Sequence, residues 1–281
     1  MSAEITHRLD QTFQSGSSEV RWGVVGDGPP LILCHGTPWS SFVWRHTIRE
    51  LASKRRIYYW DMPGFGVSSR SHDVSIAKNG AVLAALIGHW NLDRPAIIGH
   101  DIGGAVALHA HLVHGIEISR LALVDAVVLR PWGSPFFRLV AKHHEVFESL
   151  PANLHRALVT EYIQGASSAG IPTAVADQLV APWCTTEGQR AFYTQIAQTN
   201  EHDTERLEPL LGTISAPTLI VWGADDAWLP VEHAARLHAT IPGSQLIIID
   251  DAGHLLLEDA PAALNSHLTE FLNQPSGPSH S

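Results

Sequence analysis

The chain has 281 residues, of which 45% are hydrophobic and 16% charged, and it carries a formal net charge of −10. This composition excludes an intrinsically disordered chain and suits one large core with an insertion. The acidic balance, with no cluster of Lys or Arg, argues against nucleic acid as a partner. The first twenty residues lack both a basic and an apolar signal region, and no later apolar run approaches membrane-spanning length, so a cytoplasmic protein without a membrane partner is expected. Cys34 and Cys184 are the only cysteines. They lie far apart in the chain, and reduced thiols are expected.

In chain order, Glu19 to Val25 followed by Gly26-Asp27-Gly28-Pro29-Pro30 reads as an antiparallel hairpin. Short β-rich runs follow at Leu31 to Cys34, Ile57 to Trp60, Ala96 to Ile98 and Leu121 to Val124, with helical patterns between them. Two more runs come late, at Thr218 to Trp222 and Leu246 to Ile249. This alternation predicts an α/β fold with a mostly parallel sheet and crossover helices. From about 129 to 212 the β signal disappears and the text turns helical, broken at Pro131-Trp132-Gly133, Pro151, Gly165 to Gly170 and Pro182. The expected organisation is a core over 1–128, a helical cap over 129–212, a second core part over 213–273 and a disordered tail over 274–281. An insertion at that point can lie over the carboxyl ends of the strands, where open α/β sheets bind ligands.

The chemistry concentrates at strand ends. Gly99-His100-Asp101-Ile102-Gly103 joins the run Ala96 to Ile98 to an apolar helix. It resembles the G-x-S-x-G nucleophile elbow with a carboxylate in the place of the serine. A carboxylate is a poor acyl nucleophile, but it can displace a leaving group from saturated carbon. The bland reading is an Asp that caps a helix after a Gly turn. His35-Gly36-Thr37-Pro38 stands where backbone donors form an oxyanion hole, and the N–H groups of Thr37 and Ile102 are the candidates. His254, in Asp250-Asp251-Ala252-Gly253-His254, is the candidate general base. Two aspartates could orient it: Asp226, after the strand ending Val221-Trp222-Gly223, and Asp125, after Leu121 to Val124. No metal or organic cofactor is expected. The run His109, His111, His114 lacks the spacing and the Glu of a zinc site and reads as packed or solvated.

Taken together, HGTPWSSFVWR (35–45), WDMPGFGVS (60–68), GHDIGG (99–104), WGADDAWLP (222–230) and AGHLLLEDAP (252–261) resemble the α/β-hydrolase superfamily. The likeness is to its aspartate-nucleophile branch of haloalkane and haloacetate dehalogenases and epoxide hydrolases, and it runs from about Val20 to Leu272. The resemblance implies a small apolar organic substrate, water as co-substrate and an alkyl ester on Asp101. Two positions depart from the dehalogenase pattern. Ile102 stands where a Trp usually follows the nucleophile, and Thr37 where an Asn is common, so the usual halide donors are missing. Trp39, Trp183 and Tyr193 are the candidate replacements as N–H or O–H donors. The resemblance also implies a cap tyrosine that protonates an opening epoxide. Tyr193 matches it, with His143, His144 or Tyr162 as possible partners.

These features put dehalogenation first, epoxide hydrolysis second, and a small-molecule binding protein with little turnover as the reading from another class. Turnover, as against mere thermal stabilisation by ligand, separates enzyme from binder. Oligomeric state is not legible in the sequence.

Overall fold

The computed structural model describes residues 7–70 and 73–275. Eight strands form one sheet: β1 (Gln11–Ser15), β2 (Ser18–Val25), β3 (Pro30–Cys34), β4 (Arg56–Trp60), β5 (Ala96–His100), β6 (Arg120–Val124), β7 (Thr218–Gly223) and β8 (Gln245–Ile249). Their order is β1-β2-β4-β3-β5-β6-β7-β8. The first two pairings are antiparallel and the rest parallel. In β5, β6 and β7 every residue is buried. Strands covered on both faces carry continuous apolar runs instead of alternation, which is why AIIGH and LALV read as strands despite their lack of period.

The eleven α-helices are α1 (Arg45–Leu51), α2 (Ile76–His89), α3 (Ile102–Leu108), α4 (Pro135–Glu148), α5 (Ala152–Gln164), α6 (Thr173–Val180), α7 (Thr186–Gln198), α8 (Glu201–Glu205), α9 (Glu232–Thr240), α10 (Leu256–Asp259) and α11 (Pro261–Asn273), counted among the described residues. Helices α4 to α8 all fall between β6 and β7. The first of them starts with Ser134 as its N-cap, whose hydroxyl accepts from Phe137 N–H at 3.1 Å, and with Pro135 at the first helical position. This pairing is favourable because Pro has no N–H to leave unsatisfied there.

The hairpin differs from expectation. Glu19 to Val25 does form a strand, but its partner is β1, reached through Gly16-Ser17 with Gly16 at φ 62°. The Gly26-Asp27-Gly28 turn instead leads from β2 to β3, and β4 lies between these two strands. The polar stretch QTFQS concealed β1, because an edge strand with one wet face needs few apolar residues. In the expected tail, Gln274 is anchored: its carbonyl accepts from Arg120, and its side chain pairs with Gln245 at 2.9 Å. Residues 276–281 of that tail lie outside the described residues. Cys34 is buried at the end of β3, and both cysteines are free. No helix among the described residues is long and apolar enough to cross a membrane.

Candidate active site

Asp101 sits in the sharp turn between β5 and α3 with φ 55° and ψ −128°, a conformation that non-Gly residues rarely adopt. The turn closes only because its neighbours lack side chains. A Cβ on Gly103 would lie 2.4 Å from the carbonyl oxygens of Cys34 and His35, and one on Gly36 would lie 2.3 Å from Asp101 Cβ. A strained, buried carboxylate held by such packing is the kind of outlier from which function is inferred.

Both carboxylate oxygens have partners. Thr37 N–H donates to Oδ1 at 2.7 Å, and His254 Nε2 lies 3.2 Å from Oδ2. Ile102 opens α3, so its N–H has no acceptor within the helix. Thr37 and Ile102 both line the cavity in front of Asp101. On the far side of the imidazole, His254 Nδ1 donates to Asp226 Oδ2 at 2.9 Å, while Asp226 Oδ1 accepts from Trp228 N–H at 2.8 Å and Leu229 N–H at 2.9 Å. Burial alone would push His254 down. The carboxylates of Asp226 and Asp101 outweigh it and hold the imidazole well above its ordinary value. The charged imidazolium is thereby favoured between the two carboxylates, with Trp228 stacked on the ring at 4.9 Å.

The two aspartates have separate states. Asp125 is fully buried, its Oδ1 accepts from Gly223 N–H at 2.8 Å, and its Oδ2 has no partner. Burial, then the nearby Asp226 charge, raise its pKa well above the usual carboxylate range. Its neutral form is favoured and it is bonded to backbone, whereas Asp226 is the carboxyl bonded to the imidazole.

The cavity is narrow, about 20 Å³, and is walled by Val127, Trp132, Phe137, Tyr162, Trp228 and Leu229. Among its described lining residues there is no Lys or Arg. The donors expected from the sequence are mostly elsewhere. Trp183 spends its indole N–H on Pro38 O at 2.9 Å. Tyr193 is fully buried outside the cavity, and its oxygen lies 2.8 Å from His155 Nδ1. His155 Nε2 lies 2.9 Å from Trp183 O, which can only accept, so Nε2 carries the proton and Tyr193 O–H must donate to Nδ1. Burial keeps that histidine neutral. As a donor to the cavity Tyr193 is thus corrected, because its proton is already committed. Trp39 is buried, stacks on Trp228 at 5.8 Å, and has an unpartnered indole N–H. The Thr37 hydroxyl donates to Gln195 Oε1 at 2.6 Å, which removes it from the cavity as well.

Tyr162 takes the place expected of Tyr193. It lines the cavity with Asp101 and stacks on Trp228 at 4.4 Å. Burial first, and the Asp101 charge second, push its phenol above the ordinary range, while a hydrogen bond with Ser134 acts against them. Trp228 and Ser134 were not singled out from sequence, although Trp228 stands two residues after Asp226 and Ser134-Pro135 is a helix-start signature. His143 lies at a kink inside α4, with φ −134°. His109 and His111 are each bonded to a backbone carbonyl, of Asp203 and of Ile116.

The sheet, the tight turn at Asp101 and the chain order Asp101, Asp226, His254 match the pattern of an α/β-hydrolase. The family model described as "Alpha/beta hydrolase family" matches residues 31–267, and the chain belongs to that family. It is 27% identical over 272 residues to haloalkane dehalogenase 2 of Mycobacterium bovis, covering 92% of this chain and 93% of that protein. Among solved structures, an α/β-hydrolase fold protein from Burkholderia ambifaria superposes with a TM-score of 0.92 at 41% identity, covering 94% of this chain and 98% of that one. A thermophilic esterase from Thermogutta terrifontis shares the fold, with a TM-score of 0.77 at 24% identity, over 93% and 98% of the two chains.

Proposed function

We propose that the protein hydrolyses small, uncharged substrates at an sp³ carbon through an ester on Asp101, and that an epoxide is the substrate for which the site is best built. The observation that carries this reading is the Asp101 carboxylate in the elbow, between Thr37 N–H and the His254 ring, in a largely apolar cavity that Tyr162 also lines. Oδ2 attacks the ring carbon and the C–O bond breaks. The new alkoxide takes the Tyr162 proton, and the tyrosinate is reprotonated at the expense of the His254 imidazolium, which leaves that ring neutral. Water then attacks the ester carbonyl, the neutral His254 accepts a proton from that water, and the Thr37 and Ile102 N–H groups hold the oxyanion. Collapse expels the second diol oxygen, which takes that proton from His254, and the proton left on the Asp101 carboxyl, one of whose oxygens now comes from water, returns to His254.

Proton accounting favours an epoxide over a halide. The two carboxylates favour the His254 imidazolium, which must lose a proton before it can act as a base. Epoxide opening consumes one proton, whereas halide departure consumes none. Esterification of Asp101 also removes one of the two anions that raise the imidazole. The second reading, dehalogenation, draws on the similarity to haloalkane dehalogenase 2. A haloacid fits neither version, since its carboxylate would face Asp101 with no Lys or Arg among the described lining residues.

The test is single turnover in ¹⁸O water with 1,2-epoxybutane and, in parallel, 1-bromobutane. Label should enter the Asp101 carboxylate, and His254→Ala should accumulate a covalent adduct of the substrate's mass. Label confined to the product, on an unlabelled enzyme, would sink the ester route.

A further inference from the structure

The backbone of the base is held at three successive residues, one of them directly by the cap loop Gly165 to Gly170 and another by Asp259, which is itself bonded to that loop. Gly253 N–H donates to Asp259 Oδ2 at 2.8 Å, His254 O accepts from His100 Nε2 at 2.9 Å, and Leu255 N–H donates to Ala166 O at 2.8 Å. Asp259 is the hub. The same Oδ2 accepts from Ser168 N–H at 2.9 Å, its Oδ1 accepts from Ser167 Oγ, and Ser168 Oγ lies 3.0 Å from Asp251 O. A Cβ at Gly253 would lie 2.9 Å from both Ala166 O and Ser168 N, so the cap loop passes directly against the loop that carries the base.

We infer that Asp259 is a positioning residue that clasps the cap loop to the His254 loop and so makes the second chemical step depend on the seating of the cap. Asp259 touches no reacting atom and acts through Gly253. The first step needs only Asp101 and a donor on the substrate side, whereas the second needs the imidazole aimed at a water beside the ester. A displacement of the base therefore falls on ester hydrolysis alone. The inference rests on the proposed ester for its kinetic test but not for its spectroscopic one.

With 1,2-epoxybutane, Asp259→Ala should form the Asp101 ester at the wild-type rate and hydrolyse it about 10²-fold more slowly, the scale of a small misplacement of a catalytic group. Adduct should then appear in the intact-protein mass. Asp259→Asn keeps one acceptor oxygen for Gly253 and should recover part of the loss. The double variant Ser167→Ala, Ser168→Ala, which weakens the clasp from the cap side, should slow the same step. Wild-type hydrolysis of the ester in folded Asp259→Ala, or equal slowing of both steps, overturns the inference. Should no variant, His254→Ala included, yield an adduct, the ester reading fails instead. The clasp is then decided by the His254 Nδ1–H resonance. Its faster exchange with water in Asp259→Ala supports the clasp, and an unchanged resonance overturns it.

Discussion

At the residue scale, ownership of protons separates side chains that look alike in sequence. Asp226 and Asp125 both follow strands beside His254, but only Asp226 bonds the imidazole, while Asp125 accepts from Gly223 N–H and burial favours its neutral form. Asp226→Asn should lower kcat by roughly 10³ or more, as for loss of a triad acid, while Asp125→Asn leaves the imidazole's partners in place and should stay within about tenfold of wild type. Steady-state rates on folded variants check the order. Tyr162 and Tyr193 divide in the same way. Tyr162→Phe should slow epoxide opening by about 10² or more. Tyr193→Phe should leave that step alone and instead cost about 1–3 kcal/mol of stability, because the His155 lone pair loses its donor. Pre-steady-state opening rates and urea unfolding separate the two outcomes. The cluster of Asp101, His254 and Asp226 was legible in the sequence because each member follows its strand at a short, marked turn. Which tyrosine lines the cavity was not. Both lie in helical text, and Tyr193 is turned to His155, a residue thirty-eight positions away whose tautomer is set by a carbonyl.

At the scale of elements, the elbow is a packing solution. The parallel strands β3 and β5 run side by side, so the turns that leave them meet. Gly103 lies against the carbonyls of Cys34 and His35 because those turns must approach within hydrogen-bonding reach for Thr37 N–H to find Asp101. A backbone oxygen at 2.4 Å cannot rotate away as a side chain can. Gly103→Ala should therefore cost at least about 2 kcal/mol and abolish turnover, both measured on purified protein. The sheet was readable from alternating apolar runs and Gly-rich turns. Strand β1 and the pairing of the first hairpin were not, since a polar edge strand carries little of the burial signal on which such reading depends.

For the whole molecule, buried histidines set the response to acid. His35, His100, His109 and His155 all have pKa values lowered by burial, His100 to about 4. Each binds its proton more readily when unfolded, so between its unfolded value near 6.5 and its folded value stability rises with pH. This contribution is complete above pH 6.5 and is lost as pH falls through the folded values. For His100 alone the loss amounts to about 3 kcal/mol by pH 4. His254 runs the other way: its raised value contributes stability that is full below pH 6.5 and lost as pH rises through the folded pKa. Urea unfolding should therefore show stability that falls steeply from pH 6.5 to pH 4, and His100→Gln should flatten the slope. An equal slope in that variant would mean that other groups carry the acid response.

The stack of Trp228 on the His254 ring gives the catalytic cycle an optical face. An imidazolium in contact with an indole accepts an excited electron and quenches its emission, and a neutral imidazole does so far less. With the imidazolium favoured, Trp228 should be dark in the resting protein. When Asp101 becomes an ester and His254 gives up its proton, that indole should brighten, and it should dim again as the ester is hydrolysed. Stopped-flow emission from the native tryptophans, with Trp228→Phe as the blank, would then report the lifetime of the intermediate without any label.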